Sequence, residues 1–369
     1  MVDVCERSPS YIRAIAPYLP GKPISELARE MGLKEASIVK LASNENPLGA
    51  SPKAVAAMRA ALDEVARYPD GNGFDLRMAL AKMYGIAAER IVLGNGSNDV
   101  LEMAAHAFLA PGASAVYSQH AFAVYPLATQ AMGAAGIEVP ARDFGHDLDA
   151  MARAVRGDTR VVFVANPNNP TGTWLAPDVL HAFLRKVPAD VLMVLDEAYH
   201  EYLDPGWRGD SLKWLGQFPN LVISRTFSKA YGLAGLRVGF AFAHSQVAEL
   251  MNRVRQPFNV SNIAQAAATA ALSDQDFVHK TRALNDQGML ALTGGFKRLE
   301  LSWIPSCANF VSFKVPKAAD VFQRLLRQGV IVRPIASYGM PEHLRVTVGT
   351  EAENKRFLAA LEAVLTGLR

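Results

Sequence analysis

Short apolar runs alternate with amphipathic segments through the middle of the chain. The runs predict strands, because short and nearly continuous stretches of β-branched residues are typical of strands buried on both faces. They lie at 91–93, 115–117, 161–164, 191–195, 221–224 and 238–243. The segments between them, such as 100–109 and 177–186, predict helices. We therefore expect an α/β fold with a mostly parallel sheet covered by helices on both faces.

The two ends of the chain carry different patterns. Residues 1–47 include several prolines, which interrupt a helix, so this stretch is predicted to be an arm that lies over other surfaces. The first long helix is expected from Ser51 to Ala66, with Pro52 in its first turn.

After residue 262 the pattern predicts a smaller α+β domain. A long helical region to 299 is followed by predicted strands and a closing helix, at 309–315, 330–333, 344–348 and 353–365. The predicted organisation is therefore an arm, a large domain and a small domain, with bounds 1–47, 48–262 and 263–369.

Composition narrows the classes of function. Half of the 369 residues are hydrophobic and a fifth are charged, so the chain can bury a large core. The net charge is +3 and no run of five basic residues occurs, which indicates a small-molecule partner and neither nucleic acid nor membrane. The only cysteines, Cys5 and Cys307, are too few for a disulfide framework or a Cys-rich metal site. Because no secretory leader or membrane span is recognisable, we expect a cytoplasmic protein.

The segment 224–239 carries the strongest candidate chemistry. Lys229 follows the predicted strand at 221–224 and stands among small and hydroxyl residues. A lysine amine forms a Schiff base with an aldehyde when a dry pocket lowers its pKa, and this setting suits that task. Arg237, together with the hydroxyls of Thr226 and Ser228, can bind a phosphate. The alternative is a solvated lysine in a surface loop.

Asp196 and Tyr199 follow the buried run at 191–195. A carboxylate in that position needs a cationic partner, and a protonated pyridine nitrogen would provide one and make the ring an electron sink. Tyr199 can donate a hydrogen bond to a phenolic oxygen on the same ring. The alternatives are a helix N-cap for Asp196 and a packed aromatic for Tyr199.

Two loops complete the candidate site. The string Asn-Pro-Asn-Asn-Pro-Thr-Gly at 166–172 predicts a rigid loop, in which Asn169 can offer its amide to an oxygen of an aromatic cofactor. The string Leu-Gly-Asn-Gly-Ser-Asn-Asp at 93–99 leads into a predicted helix, whose first N–H groups can bind a phosphate. A dinucleotide site would need a third glycine where Asp99 stands, so NAD is disfavoured.

Taken together, these strings resemble the fold type I aminotransferases, which depend on pyridoxal 5′-phosphate (PLP), over nearly the whole chain. The resemblance implies that Lys229 holds PLP as a Schiff base and that Asp196 faces the pyridine nitrogen. It implies that Tyr199 and Asn169 bind the phenolic oxygen of the ring and that Phe122 stacks on its face. The implied ligands of the cofactor phosphate are Ser97, Asn98, Thr226, Ser228 and Arg237. Many relatives carry tyrosine at the position of Phe122, so stacking is kept while a hydroxyl is lost.

The strings at 17–23, 41–47, 67–71 and 329–334 resemble one subgroup of this family. Its amino donor is a phosphorylated amino alcohol that carries an imidazole ring, and its acceptor is a 2-oxo acid. The resemblance implies the following substrate residues: Tyr18, Asn46, Arg333 for the phosphate and Arg345 for a carboxylate. It also implies that Tyr68 reaches the cofactor phosphate of a second subunit, and hence a homodimer with shared active sites.

Other interpretations stay open from the sequence alone. An aromatic amino-acid aminotransferase of the same subgroup fits nearly as well, because imidazole and phenyl rings differ little in an apolar pocket. A PLP-dependent decarboxylase that recognises phosphate is a further relative. A non-catalytic binding module of the same fold is the alternative from a different class. The alternative for Arg333 is a solvated residue at the end of a strand, with no role in substrate binding.

Overall fold

The computed structural model describes residues 3–368, so residues 1, 2 and 369 of the predicted arm and small domain lie outside the described part. The strands in this part are β1 Val39–Lys40, β2 Ile91–Gly94, β3 Ser114–Ser118, β4 Ala135–Val139, β5 Thr159–Ala165, β6 Leu192–Asp196, β7 Leu221–Thr226, β8 Gly239–Ala243, β9 Phe310–Lys314, β10 Val330–Ile331, β11 Arg333–Pro334 and β12 His343–Thr347. The helices are α1 Ser10–Arg13, α2 Ile24–Met31, α3 Pro52–Ala61, α4 Phe74–Tyr84, α5 Ser97–Phe108, α6 Val124–Ala131, α7 Leu148–Ala154, α8 Pro177–Leu184, α9 Ser211–Trp214, α10 Ser245–Val254, α11 Asn262–Leu272, α12 Gln275–Arg298, α13 Ala318–Arg327 and α14 Glu351–Thr366.

A seven-stranded sheet forms the centre of the large domain, in the order β2-β8-β7-β6-β5-β3-β4. Neighbours from β7 to β4 run parallel, while β8 is antiparallel to both β7 and β2. The predicted α/β fold with a mostly parallel sheet is therefore confirmed. The edge strand β4 was not predicted, because its residues include Gly136 and Glu138 and are mostly exposed, so it lacks the apolar run of a buried strand.

Alternation along the central strands builds two cores on opposite faces of this sheet. In β5, Val162 and Val164 belong to one buried cluster, while Val161 and Phe163 belong to the other. Successive side chains of a strand point to opposite faces, so a strand covered on both sides must be apolar throughout. This is why the sequence shows unbroken apolar runs at these strands.

The small domain has its own core around the antiparallel sheet β11-β12-β9. Strand β1 pairs in parallel with β10, so residues of the predicted arm belong to this domain's packing. The arm also contains the short helix α2, which was not predicted, whereas the helix predicted from Ser51 is confirmed as α3, with Ser51 as its N-cap. The helical pattern of α2 was hidden by the prolines that precede it. Helix α3 ends at Ala61, before the predicted Ala66.

Helix α11 packs with the large domain, although the predicted small domain begins at residue 263. Its alanine face, including Ala264 and Ala268, lies in the same buried cluster as Leu76 of α4 and Phe240 of β8. The predicted long helical region to residue 299 consists of α11 and α12. Small side chains on α11 allow it to pack closely against α3 and α4. The composition of this helix alone did not indicate which of the two domains it belongs to.

Candidate active site

A cavity of about 270 Å³ opens where β5, β6 and β7 end and α5 begins. The carboxyl ends of parallel strands meet at one edge of a sheet, so side chains that follow different strands converge there. The predicted residues that line this cavity are Tyr18, Ser97, Asn98, Phe122, Asn169, Asp196, Tyr199, Thr226, Ser228, Lys229, Arg237, Arg333 and Arg345.

Two predicted residues lie elsewhere in this chain. Tyr68 is 82% exposed and stacks on Phe258 with ring centroids 4.6 Å apart, so its role toward a second subunit stays a prediction. Asn46 is buried, and its Nδ2 donates to the carbonyl of Ala230 at 2.9 Å and to Thr281 Oγ1 at 3.0 Å. Its amide therefore braces the loop that follows Lys229, and the structure does not place it at the cavity as a substrate ligand.

Lys229 sits in the turn after β7, with its amine at the cavity. Its Nζ donates to the carbonyl of Ser43 at 3.1 Å. Burial of the amine lowers its pKa to about 8, and the positive charge of Arg345 acts in the same direction. A fraction of the amine is therefore neutral near physiological pH, as a nucleophile or proton carrier requires.

Asp196 closes β6 and is buried beneath the cavity. Burial raises the pKa of its carboxyl to about 6, while two donors oppose this shift. Tyr125 Oη donates to Oδ2 at 2.9 Å and the N–H of Ala198 donates to Oδ1 at 3.2 Å. A buried carboxylate held in this way is stabilised by a cation on its open side, as a protonated pyridine nitrogen would be.

Tyr199 and Asn169 lie on the side of the cavity nearest the small domain. Asn44 Nδ2 donates to Tyr199 Oη at 2.8 Å. Arg345 Nη1 donates to Asn169 Oδ1, which leaves the Asn169 amide N–H groups as the donors available to an oxygen acceptor. Both side chains can thus hold an oxygen on the edge of a ring.

The N-terminus of α5 forms an anion corner with Arg237. Gly96 lies at the N-cap with φ of 84°, and a Cβ atom there would clash with the Arg237 guanidinium. A Cβ at Gly239 would likewise meet the backbone N of Ser97. Because Gly96 has no side chain to cap the first turn, the N–H groups of Ser97 and Asn98 are available to an anion. The corner fits a phosphate group.

Arg333 and Arg345 form a cross-strand pair between β11 and β12. Both are buried, so the solvated strand end considered for Arg333 is wrong. Arg333 Nη2 donates to the carbonyl of Leu19 at 2.7 Å, and its guanidinium lies 5.3 Å from the ring centroid of Tyr18. Two buried guanidinium groups side by side repel each other until an anion neutralises them, so this end of the cavity suits acidic substrate groups.

Sequence reasoning missed two residues that touch predicted ones. Tyr125 lies one helical turn after Phe122, so this spacing was a usable signal for a second aromatic at the site. Asn44 gave no local signal, because its partners Tyr199 and Thr347 are far away in the sequence.

Comparisons with known proteins agree with this geometry. The family described as aminotransferase class I and II matches residues 36–361. The chain is 63% identical over 365 residues to histidinol-phosphate aminotransferase 2 of Nitrosospira multiformis, covering 99% of this chain and 93% of that protein. It is 62% identical over 365 residues to histidinol-phosphate aminotransferase of Methylobacillus flagellatus, covering 99% of each. The crystal structure of histidinol-phosphate aminotransferase from Sinorhizobium meliloti in complex with pyridoxal-5′-phosphate matches with a TM-score of 0.90 at 30% identity and 98% coverage of both chains.

Proposed function

The chain belongs to the class I and II aminotransferase family, and we propose that it transaminates L-histidinol phosphate with 2-oxoglutarate in histidine biosynthesis. The products would be imidazole-acetol phosphate and L-glutamate. The observation that carries the proposal is the buried pair Arg333 and Arg345 at the same cavity as Lys229, whose pKa is lowered. The near full-length similarity to two histidinol-phosphate aminotransferases supports the choice of substrate.

The residues of the cavity fit PLP as the cofactor. The amine of Lys229 would hold the aldehyde carbon, and the corner of Ser97, Asn98 and Arg237 would hold the phosphate. When bound, PLP supplies a protonated ring that accepts the electron pair released at the substrate carbon. Asp196, kept ionised by its two donors, would hold the proton on the pyridine nitrogen.

Lys229 is the residue that we assign to proton transfer. Its lowered pKa leaves part of the amine neutral near pH 8, so it could take a proton from the substrate carbon and donate it to the former aldehyde carbon, two bonds away across the substrate nitrogen. Tyr199 and Asn169 would orient the ring through its phenolic oxygen, and Phe122 would stack on its face. Each of these side chains would help to hold the reacting atoms in the geometry that the reaction requires.

The arginine pair explains how one cavity serves two half-reactions. Histidinol phosphate presents a phosphate and an imidazole ring, whereas glutamate and 2-oxoglutarate present carboxylates. Arg333, close to Tyr18, would bind the phosphate, and Arg345 would bind a carboxylate. The buried guanidinium groups stay charged throughout, so neither half-reaction requires a change in their protonation.

The second candidate is an aromatic amino-acid aminotransferase. Phe122 favours it, because the missing hydroxyl makes this wall of the cavity more apolar. The test is a single-turnover comparison of histidinol phosphate and phenylalanine with the PLP-loaded enzyme. We expect the phosphorylated amine to react faster by about a hundredfold, because only it engages Arg333. A faster reaction with phenylalanine would exclude the first proposal in favour of the second.

We further propose a homodimer with shared active sites and a cytoplasmic location, the latter from the biosynthetic role. The dimer proposal is supported by large apolar side chains that are exposed along the segment around Tyr68 and at Phe258, which stacks on Tyr68. They are Leu62, Val65, Tyr68, Phe74 and Phe258. Mixing inactive Lys229→Ala protein with Tyr68→Ala protein tests it. Hybrid dimers should regain activity if the site is shared, and no regain would contradict it. No helix in residues 3–368 is long and apolar enough to cross a membrane.

A further inference from the structure

Asn44 is a buried polar residue that joins the small domain to Tyr199. It lies in the segment 41–44, is 1% exposed and has a left-handed φ of 55°. Its backbone N–H donates to Thr347 Oγ1 of β12 at 2.9 Å, and its carbonyl accepts from Asn309 Nδ2 at 3.1 Å. The residue is therefore fixed by the small domain, while its side chain reaches a residue of the large domain.

The orientation of the Asn44 amide follows from the hydroxyl of Thr347. That oxygen already accepts the Asn44 backbone N–H, so its own proton can be donated to Asn44 Oδ1, which lies 3.3 Å away. With Oδ1 turned toward Thr347, the amide nitrogen points at Tyr199 Oη, 2.8 Å away. Asn44 is thus the donor in the contact and Tyr199 is the acceptor.

The direction of the Tyr199 hydroxyl follows in turn. A phenol has one proton to donate, and an oxygen that accepts from Asn44 must direct this proton elsewhere. The Tyr199 ring is held in place by an edge contact with Phe310, with centroids 5.2 Å apart, and the side chain lines the cavity. We propose that Asn44 is a positioning residue that makes Tyr199 donate its hydroxyl proton into the cavity. The inference rests on the proposed function, because the acceptor there is the phenolic oxygen of PLP.

The surroundings of Tyr199 keep it a donor. Burial raises the pKa of its phenol to about 12, while the positive charge of Arg345 and the Asn44 hydrogen bond act in the opposite direction. It stays protonated through the physiological range. The titratable or charged groups that face it are Arg345, Asp196, Tyr338, Tyr125, Tyr202 and Lys229. A hydrogen bond donated to the phenolic oxygen favours its anionic form, so this bond lowers the pH midpoint of the bound cofactor's visible absorbance.

The test is a spectrophotometric pH titration of PLP-loaded variants. Asn44→Asp is almost isosteric, and aspartate tolerates a left-handed backbone, but its carboxylate can only accept. The Tyr199 proton would then turn away from the cavity toward residue 44. We expect the absorbance midpoint to rise by about one pH unit, as in Tyr199→Phe, because one hydrogen bond to a charged oxygen is lost.

The double variant Asn44→Asp with Tyr199→Phe is the matched control for the added charge. If Asn44 acts through the Tyr199 hydroxyl, Asn44→Asp shifts the midpoint far less in the Tyr199→Phe background than in the wild type. An equal shift in both backgrounds would overturn the inference, because charge alone would then explain it. Asn44→Gly, which suits the left-handed backbone, supplies an uncharged second variant and should give a smaller rise in the same direction.

Two further outcomes separate this inference from the proposed function. If Tyr199→Phe shifts the midpoint and neither Asn44 variant does, the positioning role is wrong and the role of Tyr199 stands. If Tyr199→Phe itself leaves the midpoint unchanged, the inference fails together with that role. The choice of substrate is tested independently by the wild-type single-turnover comparison. Thermal unfolding of the cofactor-free variants checks that each is folded before its titration is interpreted.

Discussion

The two sides of the active-site cavity are held in different ways. On the cofactor side, Asp196 and Lys229 follow neighbouring strands of one sheet, so the strands themselves fix their spacing. On the substrate side, Arg333 and Arg345 are joined to the N-terminal segment by hydrogen bonds to the carbonyls of Leu19 and Ala42. The residues that we assign to proton chemistry are thus positioned by one sheet, whereas those that we assign to substrate recognition lie where the arm meets the small domain.

The two sides of the cavity also differ in their electrostatics. Burial lowers the pKa of Lys229 to about 8 and raises that of Asp196 to about 6, so both values lie closer to neutral pH than is usual, and Asp196 is still mostly ionised at pH 7. We assign the two arginines to the binding of anions, for which the positively charged guanidinium group is suited. This difference predicts that substitutions on the cofactor side impair both half-reactions alike, while those on the substrate side impair one more than the other.

The largest effect is expected from Lys229→Ala. Removal of the only amine that we assign to proton transfer should abolish turnover in both half-reactions and the visible absorbance of the covalently held cofactor. Absorbance spectra and single-turnover assays with histidinol phosphate and with glutamate measure this. Retained turnover with either substrate would contradict the assignment.

The cofactor side was also the side that the sequence predicted best. Lys229, Asp196 and Asn169 each follow an apolar run that is recognisable as a buried strand, and the ends of such strands converge by the geometry of the sheet. The six central strands agree with their predicted positions to within two residues. Local pattern therefore sufficed for this half of the fold and for bringing these residues to one cavity, while their chemical roles stay predictions.

The substrate side could not be predicted in the same way. Asn44 bonds to Thr347, 303 positions away, and no periodicity encodes a contact between such distant segments. Asn46 was assigned to substrate through the resemblance, yet its amide braces the loop after Lys229. The packing of α11 against the large domain was missed for the same reason, since an alanine-rich helix fits either domain until its partner is known.

Asp196→Asn should give the second largest effect. Asparagine keeps the shape but removes the negative charge that would face the pyridine nitrogen. Loss of one member of a buried charge pair costs about 2–5 kcal/mol, so we expect kcat to fall by about a hundredfold or more in both half-reactions. Rapid-kinetic assays at saturating PLP measure this. A near wild-type rate would show that Asp196 serves only as a local cap.

Arg333→Ala tests whether the two sides separate. The variant should lower kcat/KM for histidinol phosphate by about a hundredfold, because a buried guanidinium that binds phosphate is lost. The half-reaction with glutamate should change little, since we assign its carboxylate to Arg345. Single-turnover kinetics of each half-reaction give the comparison. Equal damage to both would contradict the division of roles between the arginines.

The pH dependence of cofactor capture tests the lowered pKa of Lys229. Only the neutral amine attacks an aldehyde, so with a pKa of about 8 the reactive fraction rises about fiftyfold from pH 6 to pH 8 and then levels off. A lysine at its ordinary value of 10.5 would still be gaining reactivity above pH 10. Stopped-flow mixing of PLP with cofactor-free protein measures the rate. A rate that keeps rising past pH 10 would contradict the lowered pKa.

Tyr125→Phe should have the smallest effect, because it alters only a partner of Asp196. Phenylalanine keeps the stacking on Phe163, whose ring centroid lies 4.8 Å away, and loses the hydroxyl that donates to Asp196 Oδ2. The N–H of Ala198 still serves Oδ1, so we expect the dissociation constant of PLP to rise by about tenfold or less. Loss of the donor raises the Asp196 pKa further, and more of the carboxyl is then protonated at pH 6 than at pH 8. The weakening should therefore be greater at pH 6, and equal PLP affinity of variant and wild type at both pH values would exclude this role for Tyr125.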